Sequence, residues 1–382
     1  MERLKGLTWD HPRGRNALMA AARRPELAES GLEITWDTQP LEGFESHPIA
    51  DLCARYDLVV LDHPHVGEAV AAGCLLPLEE IFAAETLAAL GDAAIGPSMS
   101  SYAYAGRHWA LPLDAATQVL ACRADLLGAP PPQNWNDVVT LSRETGSVAM
   151  SLAGPHAVLS FFSICAALGE PPAQEDPGRL VSRPVGEAAF DLLAQLGRLS
   201  PASVAGKNPI GILDHMSIQD DVLLCPLVYG YVNYAAPKDG KAVSFFDAPR
   251  WRPEGRPGST LGGTGIGVSK RCPLSPQLKA HLLWLMDAET QSRFIPAHDG
   301  QPSRRDAWAD AEVNRAWGNF YRNTTATLEA AYVRPRFDGY IAFQTKASAL
   351  LREAIAENRS AAAAVEDLAV LYAAHHATGA AI

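Results

Sequence analysis

Two Asp-His-Pro triplets, Asp10-His11-Pro12 and Asp62-His63-Pro64, place a carboxylate beside an imidazole twice near the start of the chain, and His65 follows the second. A carboxylate next to a histidine can fix a ligand hydroxyl, one group accepting and the other donating or accepting. It can also move a proton, because histidine titrates near neutrality. Several histidines with carboxylates can hold a metal ion, but no HExxH-type spacing marks one here, and neither a metal nor a cofactor is expected. Asp10 and Asp62 equally suit the capping of a following helix or turn, where Asp and Pro are common.

The elements that carry the triplets argue for placement by design. The β-rich run Arg3-Leu4-Lys5-Gly6-Leu7-Thr8-Trp9 leads into the first triplet, and Tyr56-Asp57-Leu58-Val59-Val60-Leu61 leads into the second. Between them Gly31-Leu32-Glu33-Ile34-Thr35-Trp36 ends in Asp37, and helical patterns over 16–29 and 49–55 separate the three runs. Strand, helix, strand, helix, strand predicts a parallel sheet with crossovers. In open α/β sheets the loops at the carboxyl ends of the strands line the ligand crevice, which is where both triplets fall.

Composition bounds the partners. The chain has 382 residues, 48% hydrophobic and 20% charged, enough for two lobes with proper cores. Its net charge of −11, without a basic cluster, argues against nucleic acid or an anionic membrane. No apolar run approaches the roughly 20 residues of a membrane span. Met1-Glu2-Arg3-Leu4-Lys5 enters the first strand directly, without the apolar core of an export signal. The expected location is therefore periplasmic if a signal was removed, and cytoplasmic as the sequence stands. Six isolated cysteines in mostly apolar contexts read as buried free thiols.

Further along, a helix is expected over 79–90, a turn and strand over 104–112 and another strand over 118–123. The stretch 136–250 alternates again, with strands over 148–152 and 222–227 and helices over 161–168 and 185–199. Gly262-Gly263-Thr264-Gly265 opens a strand and lacks the Gly-Lys-Ser/Thr ending of a phosphate loop, so it reads as backbone closely approaching a ligand or hinge. No GxSxG elbow and no cysteine beside a base supports nucleophilic catalysis.

The order of four motifs resembles the extracellular solute-binding proteins of ABC importers, in particular the large two-lobed carbohydrate-binding type. They are Tyr56 to Asp62 with Gly73-Cys74-Leu75-Leu76-Pro77-Leu78; Gly106-Arg107-His108-Trp109-Ala110-Leu111-Pro112-Leu113-Asp114 with Arg123-Ala124-Asp125-Leu126-Leu127; Gly262 to Lys270; and Gln291 through Gly300-Gln301-Pro302-Ser303-Arg304. Arg334-Pro335 also fits. The resemblance implies a two-lobed periplasmic-binding-protein-like α/β fold (type II). Each lobe would be a mainly parallel sheet flanked by helices, with the ligand cleft between them. The first lobe would comprise 1–111 plus 265–315 and the second 115–260 plus 325–382, with crossings near 111–114, 258–263 and 319–327.

Implied too is a small polar organic ligand, a sugar or sugar derivative, held between lobes that close on a hinge. An ABC permease would be the partner if the protein is exported, and the protein would be a monomer. The expected ligand-binding residues are Trp9, Asp10, His11, Asp62, His63, Pro64, Asp114, His156, Tyr229, Tyr231, Trp251, Gly263 and Thr264, with the aromatic side chains stacking on the ligand. Two alternatives stay open. One is a cytoplasmic enzyme on the same fold with His11, Asp62 or His63 as acid or base; the other is a cytosolic ligand sensor.

Overall fold

The computed structural model describes residues 1–379. Its first lobe is organised by β1 (Glu2–Trp9), β2 (Leu32–Gln39) and β3 (Leu58–Leu61). β1 lies between the other two and pairs with both in parallel, with Gly6 opposite Trp36 on one side and Leu58 on the other. Parallel pairing needs crossovers. The helices Pro12–Ala22 and Pro25–Glu29 supply the first, and Leu41–Ser46 and Ile49–Arg55 supply the second. The helix expected over 16–29 thus divides in two before Pro25, whose ring cannot sit in a helix interior. All four residues of β3 are buried. This is the continuous apolar signature of a strand covered on both faces.

After a small hairpin, β4 (Ala103–Tyr104) with β5 (Arg107–His108), the chain enters β6 (Leu111–Cys122), twelve residues that are all buried. This strand changes partners along its length. Residues 111–117 pair antiparallel with β9 (Leu261–Val268), which also pairs with β3. Beyond Thr117 its partners become β7 (Leu224–Tyr229) and β8 (Ser244–Phe246), again antiparallel. The parallel pairing expected of both lobes is therefore carried by β1, β2 and β3. Beyond them it is limited to isolated bridges such as that between Val148 and Leu224, all that forms of the strand expected over 148–152.

The change of partners on β6 falls between Thr117 and Gln118, a few residues beyond the crossing expected at 111–114. A polar network, fully buried, holds this point. The Ser259 hydroxyl donates to the Gln118 carbonyl at 2.5 Å, and the Ser163 hydroxyl donates to Gln118 Oε1 at 2.6 Å. Thr260 N–H donates to Ser163 Oγ at 2.8 Å. Ser163 belongs to the helix His156–Ala167, every residue of which is buried. Apolar all round, it is a central helix, and Arg183–Leu199 and Tyr340–Ala356 pack on it.

Gly263 has φ +95°, and a Cβ there would meet the Asp114 carbonyl at 2.5 Å, so the close approach expected of this glycine is to the strand β6. All six cysteines are free, five of them buried. Among the described residues no helix is long and apolar enough to cross a membrane.

Candidate functional site

The carboxyl ends of β1 and β3 meet residues of the second lobe along one seam. At the end of β1, Trp9 is buried, and His11 stacks on it at 5.1 Å between centroids. Tyr231, just past β7, meets His11 edge-on at 5.0 Å and Trp9 at 6.0 Å. The first triplet resolves into a cap: His11 Nδ1 accepts from Arg13 N–H at 3.2 Å at the start of the helix Pro12–Ala22. Burial, aided by the charge of Arg13, pulls the His11 pKa down to about 3, so the ring is neutral. Asp10 is half exposed and pairs with Arg15 at the surface. It does not join the seam.

Arg13 is the residue that sequence reasoning missed here. Only 6% exposed, it donates from Nε and Nη2 to the two oxygens of Asp114 at 2.5 and 2.8 Å, and from Nη1 to the Gly230 carbonyl at 3.1 Å. Its guanidinium also lies over the Tyr231 ring, 4.9 Å from the centroid. Burial works against this charge, but Asp114 more than offsets it and the Arg13 pKa is raised. One arginine therefore ties the first helix to β6 and to the second lobe.

The end of β3 carries a second buried pair. Arg334 donates from Nη2 to Asp62 Oδ2 at 2.5 Å and to the Leu261 carbonyl at 3.1 Å, and from Nη1 to Gln344 Oε1 at 3.0 Å. Burial alone would raise the Asp62 pKa; Arg334 and His63 instead hold it well below the usual carboxylate range. Asp62 Oδ1 accepts from His63 N–H at 2.8 Å, capping the short turn His63–His65 that includes buried Pro64. Burial, then the charge of Arg334, lowers the His63 pKa to about 4 against the pull of Asp62.

From the second lobe, Tyr229 donates to the Leu261 carbonyl at 3.5 Å, and the ring of His156 stands edge-on to it at 5.8 Å. His156 Nε2 lies 3.5 Å from Glu45 Oε1 across the seam. Thr264 is buried in β9 opposite Asp114. Trp251 is left out. It is 37% exposed, in a loop anchored by the bridges of Arg250 to Asn134 and Pro257, and that loop does not reach the seam group. No feature of the local sequence separates such a tryptophan from one that faces a cleft.

Between the lobes remains a cavity of about 30 Å³, bordered by Glu45, Asp62, His65, Tyr229, Arg334 and Gln344. Of the side chains that border it, His65 and Arg334 carry buried polar atoms without a partner, and others along the seam do so as well. Both ring nitrogens of His63, His65 and His156, together with Arg334 Nε, Trp9 Nε1 and the Tyr340 hydroxyl, are buried without a hydrogen-bond partner. His63 Nδ1 lies 3.0 Å from Asp62 Oδ1 but without hydrogen-bond alignment. Native interiors leave few such groups unpaired, because each costs ~1–3 kcal/mol. Among the described residues no three His, Cys, Asp or Glu side chains are grouped to hold a metal ion.

The sign of the His63 titration gives a test. The unfolded chain takes up this proton near the ordinary value of 6.5, and the folded protein only near 4. Stability from the neutral ring is thus complete above about pH 6.5 and is lost as pH falls toward about 4, by about 3 kcal/mol at most. His11 acts in the same direction. In denaturant titrations at a series of pH values, His63→Asn should flatten the decline between about pH 6.5 and 4; parallel curves for the two proteins would contradict the assignment.

Comparison with known proteins agrees with this architecture. A sequence model of the bacterial extracellular solute-binding proteins matches residues 48–320. No curated relative matches the sequence. Among solved structures, the chain is similar to an ABC transporter solute-binding protein from Agrobacterium radiobacter K84 in complex with ribitol. The identity is 18%, with 98% of each chain covered and a TM-score of 0.79. It is similar as well to maltose-bound MalE3 of T. maritima, at 16% identity over 97% of this chain and 99% of that one, with a TM-score of 0.80. A third, from Agrobacterium vitis S4 with bound D-mannitol, shares 15% identity over 99% of both chains at a TM-score of 0.72. With the family match spanning most of the sequence and the same two-lobed fold around a seam of cleft residues, the chain belongs to the bacterial extracellular solute-binding protein family.

Proposed function

We propose that the protein binds a neutral polyhydroxylated solute, a sugar or sugar alcohol, between its two lobes and delivers it to an ABC permease as a monomer. The observation that carries this reading is the cluster of buried, unpartnered polar atoms along the seam, set among the faces of Trp9, His11, Tyr229 and Tyr231. Imidazole nitrogens and an indole N–H suit hydroxyls, which both donate and accept. The ligands in the similar structures, ribitol, maltose and D-mannitol, are of this class.

Small-molecule pockets usually measure about 300–1,000 Å³, against about 30 Å³ for the cavity between the lobes. In this reading the lobes part to admit the ligand, turning about β6 at Thr117–Gln118 and β9 at Thr260–Leu261. The third crossing in this reading is near 319–327. The proposed lobes are 1–111 plus 265–315, and 115–260 plus 325 onward.

Acid–base chemistry is a poor match for these groups. A general base works best with a pKa near the working pH, whereas His11 and His63 sit at about 3 and about 4. Asp62 is committed to Arg334.

A thermal-shift panel of ribitol, D-mannitol, tagatose and maltose tests the proposal, with mass spectrometry of each compound after incubation. A binder present at ~100 times its Kd should add about 2.7 kcal/mol of stability, and it should be recovered unchanged. Conversion of any of the four to a product would overturn the binding reading in favour of an enzyme.

A further inference from the structure

A second, larger concavity lies beside the seam, between residues of both lobes. It encloses about 1100 Å³ between Gly96, Pro97 and Tyr104 on one wall and residues 172–174, Pro177, Tyr372 and His376 on the other, with residues 329–337 as its floor. It shares only Arg334 with the interlobe cavity.

Two arginines on its lining have no acidic partner. The Arg256 guanidinium donates from Nη2 to the Ala330 carbonyl, and its Nε is buried without a partner. Arg336 donates from Nη1 to the carbonyls of Ser100 and Ser101 at 3.0 and 2.9 Å, and its Nε is likewise buried and unpaired. Burial lowers the pKa of both side chains, and no carboxylate acts on either to restore it.

The other charges of the groove are already matched. Arg334 is paired with Asp62. Glu329 accepts from Arg305 Nε at 2.7 Å and from Gly96 N–H at 3.0 Å. In a chain of net charge −11, acids to pair with two half-buried guanidiniums are abundant, yet none is placed beside them. An unpaired, partly desolvated guanidinium is costly, and its planar fork matches the oxygens of a phosphate or carboxylate. Flat side chains stand alongside: Tyr104, Phe337, and Tyr372 stacked on His376 at 5.5 Å.

We propose that this groove is a second binding site, for a small organic oxyanion whose phosphate or carboxylate head is held by Arg256 and Arg336 while a flat body lies against Tyr104 and His376. It is a different surface from the seam cavity, with which it shares only Arg334, although its two walls come from different lobes.

Phenyl phosphate is the probe, with inorganic phosphate and uncharged benzyl alcohol beside it, titrated calorimetrically into the full chain. The expected result is saturable 1:1 binding of phenyl phosphate, weaker binding of inorganic phosphate, and none of benzyl alcohol. Arg256→Gln and Arg336→Gln should each weaken phenyl phosphate binding at least ten-fold, the scale of a lost charge-assisted contact. Arg336→Lys should retain part of the affinity, since it keeps the charge without the fork. His156→Ala, a change in the seam, should leave it unaltered. The proposal is overturned if phenyl phosphate fails to saturate, if both Gln variants bind it as the parent does, or if only the seam variant loses it.

Discussion

Asp114→Ala should destabilise the protein by about 3–5 kcal/mol, the cost of leaving a buried guanidinium without its counter-charge. The prediction follows from the geometry of Arg13, whose fork is bidentate on Asp114 and whose remaining nitrogen is held by the Gly230 carbonyl. Nothing else on the seam can replace the carboxylate, because Tyr231 offers the guanidinium only the face of its ring. Replacing both partners should cost much less. In an Arg13→Met, Asp114→Leu double variant no charge is stranded, and apolar pairs often substitute for buried ion pairs at little or no cost. Chemical denaturation of the two single variants and the double variant closes a thermodynamic cycle. A double variant as unstable as the sum of the singles would show that the two residues act separately, against the clamp described here.

Asp62→Ala should be of similar size, about 3–5 kcal/mol, because it strands Arg334 at 2% exposure. Gln344 and the Leu261 carbonyl would remain as acceptors, but neither carries a charge. The pair also has a pH signature. The Asp62 carboxyl is held below its ordinary value, so its stabilisation is fully present above the unfolded value of about 3.9 and is lost as pH falls below that. Asp62→Asn should therefore be less stable than the parent at pH 7, and the gap should narrow below about pH 4. A gap that stayed constant down to pH 2.5 would mean that the ion pair is not the source of the loss.

Much of the frame was legible because it is local. The three short β-rich runs and their intervening helical patterns specify a parallel sheet with crossovers without any distant information, and both Asp-His-Pro loops fall at strand ends as a consequence. β6 was less legible: Pro112 and Asp114 interrupt its apolar pattern, so it reads as a turn and a separate strand. In the structure a register shift between Pro112 and Asp114 lets the strand continue, as bulges do where a proline cannot donate to the ladder.

The site divides in the same way. The aromatic residues at the ends of β1 and β7 could be placed from their neighbours. Arg13 and Arg334 could not, because an arginine reads as a surface residue until its acid is found, and those acids lie far away in the sequence. Pro12-Arg13 at a helix start facing a predicted cleft was the one local signal available for Arg13. The triplets themselves were ambiguous between capping and chemistry. The structure gives His11 and Asp62 the capping contacts and turns Asp10 outward to Arg15.

The central claim is that a hydroxyl-rich solute is held between the lobes by the groups that now face one another unpaired. Isothermal titration of ribitol, D-mannitol, tagatose and maltose into the parent protein and into His156→Ala tests it most directly. His156 has no hydrogen bond at either ring nitrogen, its Nε2 standing 3.5 Å from Glu45 Oε1, and it takes no part in either ion pair of arginine, so its loss should spare the fold. The account predicts saturable binding of at least one compound, weakened about 10- to 100-fold in the variant, the scale of one or two lost buried hydrogen bonds. Binding of equal strength in both proteins, or no saturable binding of any of the four, would contradict it.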